Sequence, residues 1–288
     1  MQQRRIGDVQ VSAIGLGAMP LSVDPAPDSK RAEATVHAAL DAGVTLIDTA
    51  DAYTPSSADN LPGHNEQVVA RALRSYGGDT SAVLVATKGG HTRSPDGGWH
   101  TDGRAEHLRR ACQASLQSLG VDVIGLYQHH RPDPDIPYEE TVGGLKALLD
   151  EGLVQRVGLS NADPDQIRLA HGILGDGLVS VQNQLSPGYR SSLPELALCD
   201  ELGLAFLPWS PLGGAGSANA LGERNSAFAD VADRLGASPQ QVALAWLLGL
   251  SDRVIPIPGA SRPESIRSSA EAVHLVLSDA DRLLLDDA

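Results

Sequence analysis

The sequence predicts a single (β/α)8 barrel that occupies the whole of residues 1–288. Short runs rich in β-branched residues recur along the chain, and amphipathic segments lie between them, which is the pattern of parallel strands joined by crossover helices. Eight such units in about 250 residues match the usual size of this barrel. A Rossmann sheet is disfavoured because the best glycine-rich turn, Gly15-Leu-Gly17-Ala-Met-Pro20, lacks the third glycine and meets a proline where a helix must begin.

The first predicted element is a β-hairpin in RRIGDVQVS, which turns at Gly7-Asp8 and precedes the barrel. The eight barrel strands are predicted at VSAIGL from Val11, VTLID from Val44, AVLVAT from Ala82, DVIGLYQ from Asp122, VQRVGLS from Val154, LVSVQ from Leu178, LAFLPW from Leu204 and VIPIP from Val254.

Helices are predicted between these strands. The clearest are SKRAEATVHAALDAG, GRAEHLRRACQASLQSLG and SPQQVALAWLLGL. The first two end at Gly43 and Gly120, and glycine is the residue type that most readily closes a helix.

Composition limits the function classes. A formal net charge of -14 disfavours a nucleic-acid binder, since such proteins neutralise phosphates with clustered Lys and Arg. No apolar run approaches the roughly 18 residues of a membrane helix, and MQQRRIGDVQ lacks the apolar core of a signal peptide. We therefore expect a cytoplasmic protein with neither nucleic-acid nor membrane partners. Cys112 and Cys199 lack metal-site spacing and are expected to be buried apolar side chains.

Polar side chains follow three of the predicted strands. Asp48 and Tyr53 come after the second strand, Lys88 after the third, and His129 or His130 after the fourth. Because the carboxyl ends of the strands meet at one face of a barrel, these groups are predicted to converge there. Taken singly, each is more simply a strand-end or loop residue, but their joint order favours an active site.

These residue types suit carbonyl reduction. A hydride added to a carbonyl makes an alkoxide that must be protonated, and Tyr53 is the candidate acid. A phenol has an ordinary pKa near 10, so the ammonium of Lys88 is expected to favour its ionised form and bring the pKa closer to neutrality. Asp48 is the predicted counter-charge for Lys88. The histidine is expected to orient the substrate carbonyl.

Other chemistries fit less well. Gly158-Leu-Ser160-Asn-Ala162 departs at one position from the G-x-S-x-G nucleophile elbow of hydrolases, since Ala162 stands where the second glycine is required. Adjacent histidines point to opposite faces of a strand, so a metal site is not predicted. Glycosidases place their two carboxylates on separate elements, whereas Asp48 and Asp51 share one strand end.

A phosphate site is predicted after the eighth strand, in IPIPGASRPES. Ser261 and Glu264 have capping-box spacing, and Pro263 suits the first turn of a helix. Free backbone amides at a helix start bind anions, and Arg262 adds a fork-shaped donor. A plain surface arginine before a helix is the alternative interpretation.

The whole pattern resembles the aldo-keto reductases. The words that carry the resemblance are GLGAMP, TLIDTADAY, VATKGG, LYQHHRPD, VGLSNA, VQNQLSP and WSPLGG. In that family an N-terminal hairpin closes the barrel floor, and the histidine stands two residues before Pro-Asp, which selects His130 here. The resemblance implies a cofactor site formed by Gly17, Ala18, Met19, Ser160, Asn161, Gln182, Trp209, Ser210, Pro211, Leu212, Gly213, Pro258, Gly259, Ser261, Arg262, Ser265 and Ser269.

The function predicted from these features is reversible hydride transfer between NADPH and an aldehyde or ketone, without a metal. Met19, Tyr53, Trp99, His130 and Trp209 are expected to line the substrate pocket, although Trp99 is equally well explained as a loop anchor.

Two departures from the family pattern leave alternatives open. Serines at 265, 268 and 269 replace residues that commonly clamp the adenosine, so an NAD-preferring dehydrogenase stays open. The segment before Asn65 and Glu66 is longer than usual and is expected to shape the substrate mouth. A cofactor-binding regulatory barrel with little turnover is the other alternative.

Overall fold

The chain is described from a computed structural model that covers residues 1–23, 25–55, 62–94, 97–214 and 216–288. The strands are β1 Gln3–Ile6, β2 Val9–Ser12, β3 Leu16–Gly17, β4 Leu46–Asp48, β5 Leu84–Gly89, β6 His91–Arg93, β7 Trp99–Thr101, β8 Leu126–His129, β9 Val157–Ser160, β10 Leu178–Gln182 and β11 Ala205–Phe206. Seven of them form one parallel sheet in the order β11-β10-β9-β8-β5-β4-β3.

Helices follow the barrel strands and pack around the sheet. The α-helices are α1 Ser29–Asp41, α2 His64–Ser75, α3 Ala105–Leu119, α4 Tyr138–Asp150, α5 Pro164–Leu174, α6 Leu193–Leu202, α7 Leu221–Arg224, α8 Ser226–Leu235, α9 Pro239–Leu250, α10 Pro263–Glu271 and α11 Asp279–Asp286. Gly43 follows α1 with φ +80° and Gly120 caps α3 with φ +71°, so both take the left-handed conformation expected after a helix.

The sheet closes through the segment predicted as the eighth strand. Val254 bridges Phe206 on one side, and Gly259 bridges Gly17 on the other. Ile255 N donates to Phe206 O at 2.8 Å, while Gly17 N donates to Pro258 O at 3.0 Å. These contacts join β11 to β3, and the (β/α)8 barrel is confirmed.

Two strand predictions are corrected in detail. VIPIP forms no continuous strand, and within it only Val254 makes an isolated bridge, because Pro256 and Pro258 have no N–H to donate to a ladder. Likewise VSAIGL is not one strand. Its first residues belong to β2 of the hairpin, and the barrel strand begins only at Leu16.

The predicted N-terminal hairpin is present and closes the barrel floor. Ile6 pairs with Val9 around the Gly7-Asp8 turn, and Ile6 packs against buried side chains of the barrel strands such as Leu46 and Leu126. Arg4 is buried and donates to the carbonyl oxygens of Leu248, Ser251 and Val254, at and just beyond the end of α9. The guanidinium thus satisfies carbonyls that a helix end leaves without partners.

The cysteines are buried and unpaired, as expected. Burial raises the pKa of the Cys112 thiol to about 12, which makes it a poor nucleophile. Among the residues that the structure describes, no helix is long and apolar enough to span a membrane, and no cluster of three or more His, Cys, Asp or Glu side chains is arranged to hold a metal ion.

Candidate active site

Lys88 lies at the centre of the polar cluster, on β5, and is completely buried. Its ammonium donates to Asp48 Oδ2 at 2.6 Å, to Thr49 O at 2.9 Å and to Tyr53 Oη at 3.2 Å. An ammonium has three hydrogens, so each has an acceptor. Because the Tyr53 oxygen accepts from Lys88, the phenol keeps its own hydrogen for another group.

Asp48 is held by more than Lys88. Its Oδ1 accepts from Gln182 Nε2 at 2.7 Å and from Gln128 Nε2 at 3.1 Å, inside the barrel. Gly158 makes room for this arrangement, since a Cβ there would lie 2.9 Å from the Gln128 side chain and 2.5 Å from Ser180 Oγ. No sequence pattern predicts a role for Gln128, which is 80 residues from Asp48 in the chain.

The charges in the cluster reinforce one another. Burial by itself lowers the pKa of Lys88, but Asp48 and Tyr53 outweigh it and the pKa is raised. The lysine is therefore an ammonium at neutral pH. For Tyr53 the expected direction is wrong. Burial raises its pKa, and the opposing effect of Lys88 is smaller than the effect of burial. The phenol is consequently protonated at neutral pH, which is the form that a proton donor requires.

The two adjacent histidines face different surroundings. His130 lies edge-on to the Tyr53 ring, with 5.5 Å between ring centroids. The His129 ring instead lies 5.7 Å from Tyr138 of α4. The structure therefore places His130, and not His129, beside Tyr53. His130 Nδ1 is buried without a hydrogen-bond partner among the described residues, whereas Nε2 is not among those buried atoms.

Two residues implied as cofactor contacts have positive φ without being glycine. Asn161 has φ +58° and Ser210 has φ +49°. Such conformations cost free energy for a residue with a side chain and cluster at functional sites. Asn161 Nδ2 donates to His130 O at 3.0 Å and to Ser160 Oγ at 3.0 Å, so it ties the ends of β8 and β9 together.

Unpartnered polar atoms lie near the same strand ends. Trp209 Nε1 and Asn183 Oδ1 are buried without hydrogen-bond partners among the described residues, although Trp209 N donates to Asn183 O at 3.1 Å. Buried polar atoms are rarely left unpaired without a reason. The loop after Trp209 continues through Ser210, Pro211, Leu212 and Gly213, and Gly213 N donates a hydrogen bond to Ser210 O. These atoms fit a ligand with donors and acceptors at this face.

The capping-box prediction for Ser261 and Glu264 is wrong. The N-cap of α10 is Arg262, so Glu264 is the second helical residue instead of the third, and no side chain caps this helix. Pro263 is the first helical residue, as predicted. Arg262 Nε donates to Ser265 Oγ at 2.9 Å. The first amides of α10 thus have no side-chain cap.

The other predicted cofactor residues lie around this edge of the barrel. At the seam, a Cβ on Gly17 would lie 2.8 Å from Ile257 O and 3.3 Å from the Gly259 backbone, so only glycine fits there. Ala18 N donates to Asp48 O at 2.8 Å, and the Met19 side chain beyond it is 37% exposed. Ser269 is on α10 and is buried.

The start of α2 braces the strand ends. Asn65 Oδ1 accepts from Thr49 Oγ1, and Asn65 Nδ2 donates to Ala18 O and Ser22 Oγ. Glu66 is also buried and accepts from Thr87 Oγ1 at 2.5 Å. Most of the long segment between Tyr53 and these residues, positions 56–61, lies outside the described residues, so its predicted role at the substrate mouth stays a prediction.

Trp99 does not lie on an irregular loop. It belongs to the β6–β7 hairpin, which the strand predictions missed because each strand has only three residues. The indole stacks on His91 at 4.7 Å and is 41% exposed. Its membership of the substrate pocket stays a prediction.

Comparisons with known proteins show which family and fold this chain has. Residues 13–288 match the model of the Aldo/keto reductase family. An uncharacterized oxidoreductase of Schizosaccharomyces pombe is 33% identical over 287 residues, which cover 98% of this chain and 88% of that protein. A glycerol dehydrogenase from Gluconobacter oxydans has a TM-score of 0.84 and 25% identity, covering 99% of this chain and 94% of its own. An aldo/keto reductase from Klebsiella pneumoniae, solved with NADP and acetate, has a TM-score of 0.80 and 28% identity, with 99% and 94% coverage.

Proposed function

The chain belongs to the aldo/keto reductase family, and we propose that it reduces aldehydes or ketones to alcohols with NADPH, in a reversible reaction. The observation that carries this proposal is the Lys88 ammonium, which is buried, charged and bonded to both Asp48 and Tyr53. When bound, the cofactor supplies the hydride, and the residues of the chain supply the proton and hold the substrate oxygen.

Tyr53 is the proton donor in this proposal. Its hydrogen is free because Lys88 already donates to its oxygen. As the phenol gives its proton to the substrate oxygen, the phenolate that forms accepts a charge-assisted hydrogen bond from Lys88. Asp48 keeps the lysine charged throughout, so the stabilising charge is in place before the reaction begins.

His130 orients the substrate oxygen. Its pKa is held well below the ordinary value, first by burial and then by neighbouring charges such as Lys88, so the ring is neutral at working pH. A neutral imidazole has one N–H. A proton on the buried Nδ1 would be an unpaired donor, so we assign the hydrogen to Nε2, which then donates to the carbonyl.

The cofactor would be held along the strand ends and α10. Ser160, Asn161 and Gln182 are proposed to hold the carboxamide, with Trp209 against the nicotinamide ring. Gln182 Nε2 is already bonded to Asp48, so its Oε1 is the atom left for an amide donor. Residues 210–213 would receive the pyrophosphate, and the uncapped amides of α10 with Arg262 would receive the adenosine phosphate.

An assay across a panel of aldehydes and ketones, with NADPH and NADH in parallel, tests the proposed function. We expect oxidation of NADPH and formation of the matching alcohol. Cofactor binding without turnover on any carbonyl would instead support a regulatory barrel. Turnover with NADH exceeding that with NADPH would support the NAD-preferring alternative, which the serines at 265, 268 and 269 keep open.

The assignment of His130 predicts a contrast between the two histidines. Because only His130 lies beside Tyr53, His130→Ala is expected to lower kcat/KM for carbonyl reduction by about a hundredfold or more. His129→Ala is the matched control and is expected to lower stability with little effect on turnover by the folded protein. Full activity in His130→Ala together with loss in His129→Ala would contradict the assignment.

Arg262 predicts the basis of cofactor preference. A charged hydrogen bond to phosphate contributes about 1.5–3 kcal/mol, so Arg262→Ala should weaken NADPH binding by roughly tenfold to over a hundredfold. NADH lacks the 2′-phosphate and should bind almost equally well to both proteins. Quenching of tryptophan fluorescence measures both dissociation constants. Equal weakening for the two cofactors would show that Arg262 does not contact this phosphate.

A further inference from the structure

The catalytic pair Tyr53 and His130 continues into a row of rings that reaches the β6–β7 hairpin. The His91 ring lies edge-on to His130, with 4.8 Å between centroids and 80° between planes. The Trp99 indole stacks on His91 at 4.7 Å and 27°. The Arg93 guanidinium lies 4.6 Å from the Trp99 centroid. His91 is therefore the link between His130 and the hairpin.

Arg93 makes two contacts that hold the β6–β7 hairpin, one within it and one to the segment after β4. Arg93 pairs directly with Trp99 across the two strands, which sets the indole against the side chains of β6. Arg93 Nη1 also donates to Thr54 O at 2.7 Å, next to Tyr53 in the chain. The hairpin is thus tied to the segment that carries the proposed proton donor.

Among the residues that the structure describes, none makes a hydrogen bond to the His130 ring. Its Nδ1 is buried without a partner among the described residues, and the same is true of His91 Nδ1. A histidine that must present one nitrogen to a ligand is usually oriented by a hydrogen bond from the other nitrogen. Here the orienting contacts are the rings on either side, Tyr53 at 5.5 Å and His91 at 4.8 Å.

We propose that His91 is a positioning residue for His130: its ring holds the His130 imidazole edge-on, so that Nε2 faces the substrate oxygen. Trp99 and the hairpin hold His91 in turn. The proposal rests on the proposed function for its catalytic consequence, but the contact between the two rings is a property of the protein alone.

The His91 ring covers one side of the His130 ring, and its removal would leave that side open. In His91→Ala we expect water to reach the His130 imidazole and the ring to gain rotational freedom. Burial is the first cause that lowers the pKa of His130, ahead of the charges facing it, which are Lys88 on β5, His91 on β6, and Arg131 and His129 on its own strand end. His91 is itself neutral at working pH, because burial lowers its pKa to about 4. Exposure should therefore raise the pKa of His130 toward 6.5.

Histidine-labelled protein provides a test that needs no turnover. The His130 ring signal is assigned by its absence in His130→Ala, and its protonation is followed by NMR from pH 7 downward. We expect His91→Ala to raise the pKa of His130 by about half a unit or more. His91→Phe keeps a ring on that side of His130, loses no hydrogen bond of the described structure, and should leave the pKa near the wild-type value. The matched control is His100→Ala, an exposed histidine on the same hairpin. An unchanged His130 titration in His91→Ala would overturn the proposal.

Kinetics then test the catalytic consequence. A misplaced catalytic group costs up to about a hundredfold in rate, so His91→Ala should lower kcat by roughly tenfold to a hundredfold without changing NADPH binding. His91→Phe should recover most of this loss, which a general loss of stability would not explain. If His130→Ala abolishes turnover while His91→Ala matches His100→Ala, the positioning role fails and the proposed function stands. If His130→Ala has no effect, the proposed role of His130 fails whatever the NMR titration shows.

Discussion

Tyr53→Phe is expected to remove nearly all carbonyl reduction, with kcat lower by about a hundredfold to ten-thousandfold. The substitution deletes the Tyr53 hydroxyl, which accepts from Lys88 and is the proposed proton donor, but it keeps the ring beside His130. Cofactor binding should therefore change little. Steady-state kinetics with NADPH, together with fluorescence titration of the cofactor, separate the two effects.

The matched control is Tyr76→Phe. Tyr76 follows α2, and its hydroxyl donates to Asp41 Oδ1 at 2.8 Å on the protein surface. Loss of this hydroxyl should leave kcat unchanged.

The wild-type rate of reduction should also show no loss from Tyr53 ionisation until the pH rises through its raised pKa, above 10. Retention of most of kcat in Tyr53→Phe would contradict the assignment of the proton donor.

Of the substitutions proposed for this protein, Asp48→Asn is expected to lower the free energy of unfolding most, by about 3–5 kcal/mol. Asn can still accept from the two glutamine amides at Oδ1. Its Nδ2, however, would replace the Asp48 Oδ2 that now lies 2.6 Å from Lys88 Nζ, so two hydrogen-bond donors would face each other. The ammonium, which is fully buried, would also lose its counter-charge. Urea unfolding followed by tryptophan fluorescence measures the change, and activity should fall with it.

Asp51→Asn is the control for removing a buried carboxyl at the same strand end. Burial, and then Glu66, raises the pKa of Asp51 well above 3.8. An acid with a raised folded pKa destabilises the protein as pH rises from the unfolded pKa through the folded one. Asp51→Asn should therefore cost little near pH 4 and become relatively more favourable as the pH rises. Equal losses in Asp48→Asn and Asp51→Asn at pH 7 would contradict the ion-pair account.

The barrel was predictable because each strand and each helix has its own local signal, a short β-branched run or an amphipathic segment, and these signals alternate along the chain. The closing segment was not predicted correctly, since its β-branched residues alternate with Pro256 and Pro258, and a proline cannot take part in a ladder as a donor. The β6–β7 hairpin escaped prediction because three-residue strands carry little periodicity. Alternation at the end of β8 predicted only that one of the two histidines faces the pocket, and the choice of His130 came from the resemblance to the family.

The convergence of Asp48, Tyr53 and Lys88 was predicted from the sequence, but the side chains that support Asp48 were not. Gln128 and Gln182 lie 80 and 134 residues from Asp48, and only the register of the closed sheet brings them together. The direction of the Tyr53 pKa was wrong because the sequence shows the neighbouring charge but not the degree of burial. His91 gave no signal at all, since its importance comes from the rings around it.

Transfer of deuterium from NADPH labelled at its hydride position tests the central claim most directly. Wild-type protein and Tyr53→Phe are incubated with an aldehyde, and the alcohol is analysed by mass spectrometry. The account predicts that the wild-type product carries one deuterium on the carbinol carbon, and that Tyr53→Phe binds the cofactor but forms almost no product. Cofactor oxidation without deuterium in the alcohol, or equal amounts of labelled alcohol from the two proteins, would contradict it.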